Sequence, residues 1–164
     1  MKSAILILLF ASVLSPLSAK IGWTLDQCIK EYGKVIQKYG DDDTSLPEYE
    51  FLVGQTDVTV IMMNGKVAQV TISPKNPFGK NQIRDALNFY SEYSDWEMRP
   101  YTDSSVSGKI SGFLPSDTDE YFISPKSGLL AMVKKDWVGS RPFFVKITIP
   151  EHKDGLIEYR KSRK

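Results

Sequence analysis

The 164 residues, 41% hydrophobic and 25% charged, suit one domain, and a chain of that size buries roughly two thirds of the surface it exposes when unfolded. Bases and acids stand at 21 to 20, which removes any electrostatic case for binding nucleic acid or an anionic membrane surface. A single cysteine excludes an internal disulfide, so the fold has to rest on its core.

The first nineteen residues read as a signal peptide. Lys2 supplies a positive charge, Ala4 to Leu14 is an almost unbroken apolar run, and Ser15-Pro16 breaks it before the small-residue end Leu17-Ser18-Ala19. That run of eleven is too short for the about 20 apolar residues that cross a bilayer, so no membrane span is expected. Cleavage is expected after Ala19, which makes the product periplasmic or secreted. Losing Lys2 leaves 20 bases against 20 acids, and no cysteine lies beside the cut to carry a lipid. Residues 20–150 are expected to form a single domain. Residues 151–164 read as a polar and basic tail, solvated and frayed, that ends Arg160-Lys161-Ser162-Arg163-Lys164.

The domain opens on a helix. Thr24 and Gln27 have the spacing of a capping box, and Trp23 and Cys28 that of a hydrophobic staple. Leu25, Cys28, Ile29 and Tyr32 then share one helical face. Gly33 offers a left-handed stop. Val35, Ile36 and Tyr39 continue the same face towards Gly40, which tips the expectation slightly to the longer helix despite the about 1 kcal/mol that an interior glycine costs. Asp41-Asp42-Asp43 lacks the alternating oxygens and glycine of a calcium loop and reads as a solvated acidic turn.

Tyr49 to Val53, Asp57 to Met63 and Lys66 to Ser73 read as strands, the last two joined by Asn64-Gly65 in a type I′ turn. The turn sets Met62 against Val67, Ile61 against Ala68, Val60 against Gln69 and Thr59 against Val70. In that register one face carries Val58, Val60, Met62 and Val67, and the other Ile61, Ala68, Val70 and Ile72. A hairpin apolar on both faces predicts a second cover: another layer, a long loop or a partner.

A second helix is expected from Lys80 to Ser94, with Ile83, Ala86, Leu87 and Tyr90 inward and Arg84, Asp85, Asn88 and Glu92 in water. Trp96, Met98 and Tyr101 follow in an extended segment interrupted by Pro100. Thr102 to Asp119 is a polar loop. Glu120 to Ser124, Leu129 to Lys134 and Pro142 to Ile149 read as three more strands. The expected class is therefore α+β: two helices packed on antiparallel sheet in the order helix, three strands, helix, three strands, an order compatible with a tandem αβββ repeat.

Catalytic chemistry fails on counting. The one histidine, His152, sits in the tail, and Cys28 occupies a core position where a thiol is inert. One Cys and one His cannot make a zinc site. Gly108 and Gly112 lack the Lys-Ser/Thr that completes a phosphate loop, and no spacing singles out a carboxylate pair. No catalytic residue, metal or cofactor is expected, and the protein is expected not to be an enzyme. Aromatic residues concentrate interface energy, so Trp96, Tyr101 and Trp137 are the candidates for contacting a partner.

The opening Gly22-Trp23-Thr24-Leu25-Asp26-Gln27-Cys28-Ile29-Lys30-Glu31-Tyr32-Gly33 resembles the start of small secreted proteins of Verrucomicrobia-type bacteria, where Trp-Thr-Leu-x-x-Cys-x-x-x-Tyr-Gly follows the signal peptide. The resemblance runs on through Val60 to Val67 and the helix before Trp96, and carries no site. The plan of a helix and a three-stranded meander is also similar to small envelope modules such as the outer-membrane assembly lipoproteins. In tandem it is similar to the β-lactamase-inhibitor-protein fold. The lipidated cysteine of the first and the disulfides of the second are missing here. The expectation is an exported binding module of the periplasm or envelope, with a protein partner or self-association through a sheet face. A structural envelope component and a carboxylate-based hydrolase are the alternatives.

Overall fold

The computed structural model describes residues 20–40, 46–91, 95–106, 119–135 and 143–149. The leader, the Asp41–Asp43 turn, Gly108, Gly112, Trp137, His152 and the tail lie outside the described residues.

Helix α1 (Leu25–Tyr32) starts as expected. The Gln27 N–H donates to the Thr24 hydroxyl oxygen at 3.3 Å, and the Thr24 N–H donates to Gln27 Oε1 at 2.9 Å. It stops at Gly33, whose φ of 85° is left-handed and whose N–H donates to the Ile29 carbonyl. The longer helix is thus corrected. Residues Gln37–Tyr39 form an edge strand, β1, beside β2 (Glu48–Val53).

Strands β3 (Thr56–Met63) and β4 (Lys66–Pro74) turn through Asn64 and Gly65, both at positive φ, as a type I′ turn requires. Met62 pairs with Val67 as expected, but the next pair is Ile61 with Gln69. Ala68 is the extra residue of a β-bulge, and its carbonyl accepts the Ile149 N–H at 3.0 Å. The one-residue shift moves every later side chain of β4 to the opposite face from the one expected. Val70 and Ile72 join Val58, Val60, Met62 and Val67 in the core, while Thr59, Ile61, Gln69 and Thr71 share the other face. The two-sided apolar hairpin is a one-sided one. The other face is nonetheless covered, as expected, but its buried side chains are polar: Thr59, Gln69, Thr71 and Ser73.

Helix α2 (Lys80–Ser91) is followed by β5 (Glu97–Arg99), β6 (Glu120–Ile123), β7 (Leu130–Lys134) and β8 (Phe144–Thr148). All eight strands join one antiparallel sheet in the order β1-β2-β3-β4-β8-β7-β6-β5. The expected α+β class with three strands after each helix, and the αβββ repeat with it, is overturned. The protein is dominated by a single eight-stranded sheet carrying two short helices. The cause lies at the sheet's ends. β1 and β5 are three-residue edge strands, too short for alternation to reveal. The centre closes where Val70 pairs with Ile147 and Ile72 with Val145.

Both helices contribute to one core with the same face of the sheet. Cys28 and Tyr32 of α1, with Ile83, Ala86 and Leu87 of α2, are buried in the cluster that holds Phe51, Val60, Val70, Val133 and Ile147. On the opposite face, Val106 is buried among Tyr121, Leu130, Met132 and Phe144. No helix among the described residues is long and apolar enough to cross a membrane.

Candidate functional site

Eight strands about 4.8 Å apart span roughly 34 Å, whereas a helix covers a strip about 10 Å wide. Two short helices therefore cannot cover the whole face. α2 lies against β8, and between it and the β5–β6 end of the sheet runs a half-open groove of about 300 Å³.

The groove follows from three local rules. The 3.6-residue period of α2 turns Ile83 and Leu87 inward and leaves Lys80, Asn81 and Arg84 on its exposed shoulder. The two-residue period of the strands sets Met98 directly opposite Phe122 on the groove face. Trp96, 7% exposed, closes one wall. Its chain neighbour Asp95 ties that wall to the β6–β7 turn, accepting from the Lys126 N–H and from the Ser124 hydroxyl, each at 2.8 Å. Those two donors, the Lys126 N–H foremost, hold the Asp95 carboxyl below the ordinary carboxylate range.

Ile83, Leu87, Trp96, Met98 and Phe122 make the lining apolar. Met98 is 62% exposed, the highest value among the exposed large apolar side chains of the described residues. Its charged residues are Lys80, Arg84 and Glu120. Glu120 is paired with Lys135. Lys80 and Arg84 form no ion pair among the described residues.

Of the aromatic candidates, Trp96 is in the groove. Tyr101 is on the other face of the sheet, its ring 5.2 Å from that of Tyr121. Trp137 lies outside the described residues. Met98, Phe122, Lys80 and Arg84 were not singled out from sequence. The only signal available was the alternation of Trp96 and Met98 in an extended segment, together with the outward position of Arg84 on its helix.

The other titratable groups of note serve packing. Burial pushes the Cys28 thiol up to about 11. Asp119 and Lys134 form a buried ion pair at 2.9 Å, with the Tyr121 hydroxyl donating to the same carboxylate oxygen at 3.3 Å. Burial first, and then the Asp119 charge, push Tyr121 up to about 12. Among the described residues no three His, Cys, Asp or Glu side chains gather as a metal site would require.

Fold and groove together define the class in structural terms: an eight-stranded antiparallel sheet, helix-backed on one face, with an apolar trough beside the second helix. No family model matches the chain, and no curated protein does. A solved cysteine-rich secretory protein from Staphylococcus aureus is similar with a TM-score of 0.42 and 11% identity, over 80% of this chain and 45% of that one. The chain thus spans less than half of that protein's length, and so distant a likeness names neither a family nor an activity.

Proposed function

We propose that this is an exported, non-catalytic binding module of the periplasm or cell envelope, which holds its ligand in the groove between α2 and β5–β6. The observation that carries the reading is the lining: Met98 left exposed over an apolar floor, beside two cations with no ion-pair partner among the described residues. A concave apolar lining with a few charged groups at its rim is the usual form of a ligand site. Among the described residues Glu120, already tied to Lys135, is the one carboxylate in the lining, whereas a carboxylate-based hydrolase needs two converging acids. The leader read in residues 1–19 supports export, and the Trp23-Thr24-Leu25 segment supports kinship with the secreted proteins it resembles.

Isotope-labelled protein screened by NMR against small apolar and charged fragments tests the reading. Amide shifts should cluster on Ile83, Leu87, Trp96 and Met98. Hits confined to β1–β3, or no hits at all, refute it.

A further inference from the structure

Resting on the groove as a binding site, we propose that its ligand is a monomeric single-chain amphiphile with a carboxylate head. A volume of about 300 Å³ is at the small end of ligand sites and suits one flexible chain rather than a folded domain. The apolar floor takes the chain. Lys80 and Arg84, one turn apart on α2, stand on the same side of the helix, close enough for both to reach one carboxylate. Two like charges at that spacing repel each other, so their placement works against the helix by itself, and a bound anion relieves it.

A peptide strand added at the sheet edge fits less well. β5 is three residues long and is followed by Pro100, which has no N–H to offer. A bilayer surface fits less well too. Docking on anionic lipid needs a cluster of several bases, and the groove offers two, Lys80 and Arg84, with the acid Glu120 beside them.

Calorimetric titration of the exported protein, expressed with its leader and purified, tests this with octanoate, decanoate and dodecanoate below their micelle concentrations. Dodecyltrimethylammonium serves as the opposite-charge probe. One carboxylate should bind per chain, and affinity should rise about fourfold for each added methylene, since a buried CH₂ contributes about 0.8 kcal/mol. Lys80→Glu combined with Arg84→Glu should weaken dodecanoate at least tenfold and favour the trimethylammonium probe. Met98→Glu, a change at an exposed side chain, should also lose at least tenfold while the thermal midpoint moves by less than about 3 °C. Equal affinity for the two head groups, or an unchanged dodecanoate affinity in both variants, overturns the proposal. If only the cationic probe binds, with amide shifts on α2 and β5–β6, the carboxylate class fails and the groove stands as a site. If no probe produces heat or shifts there, both readings fail.

Discussion

Cys28 should be chemically silent in the folded protein, and its silence should have a pH signature. The thiol is fully buried, and burial raises it from 9.0 to about 11. At pH 8 the thiolate fraction consequently falls from about one in ten to about one in a thousand, a hundredfold loss of reactivity before access is considered. Iodoacetamide labelling followed by mass spectrometry, in buffer and in urea, should show folded protein reacting at least a hundredfold more slowly. The same shift is a stability term. Because the folded-state value lies above the unfolded one, the native state holds the proton longer. The contribution is complete below pH 9 and is lost as pH rises towards 11. Stability from urea unfolding should drop by roughly 1 kcal/mol between pH 7 and pH 10 on account of this group. Tyr121, pushed up to about 12, adds a fall in the same direction at higher pH. Cys28→Ala should remove the Cys28 share of the slope and leave groove binding intact. Labelling within tenfold of the unfolded rate, or an unchanged slope in Cys28→Ala, would sink the buried-thiol account.

Thr24→Ala removes one half of the capping box and should cost about 1 kcal/mol in urea unfolding. Adding Gln27→Ala should cost less than the sum of the two single changes, because both hydrogen bonds belong to one reciprocal unit. Gly33→Ala places a side chain at φ 85° and should destabilise by more than about 1 kcal/mol, with thermal melting as the readout. Lys134→Met leaves Asp119 buried without its 2.9 Å partner and should cost about 3–5 kcal/mol, while changing both residues to apolar ones should recover much of that loss.

What could be read from residues alone was short in range. The Thr24–Gln27 box and the Asn64-Gly65 turn are each decided by groups within a few positions of one another, so their chemistry is present in the string. The strands Thr56–Met63 and Lys66–Pro74 were legible within a residue because their alternation is long enough to count. Ala68 shows where that reasoning stops. The turn fixes the first pairs, but nothing local announces an extra residue, and the bulge is held by a hydrogen bond from Ile149, just past the neighbouring strand β8 but far along the chain. The groove was harder still, since Lys80 and Arg84 meet Met98 and Phe122 only after α2 has packed on β8.

The sequence by itself determined where the first helix begins, where the Asn64-Gly65 hairpin turns and that Ile83, Ala86 and Leu87 are the inward face of α2, because caps, turns and periodicity act over one turn of chain or less. Only the tertiary structure decided that eight strands share one sheet, that Val70 and Ile72 point to the core, and that Trp96 closes a trough while Tyr101 sits on the opposite face. The physical reason is that these outcomes depend on register between distant strands and on how much of a face two short helices can cover. Both are set by packing the whole chain at once.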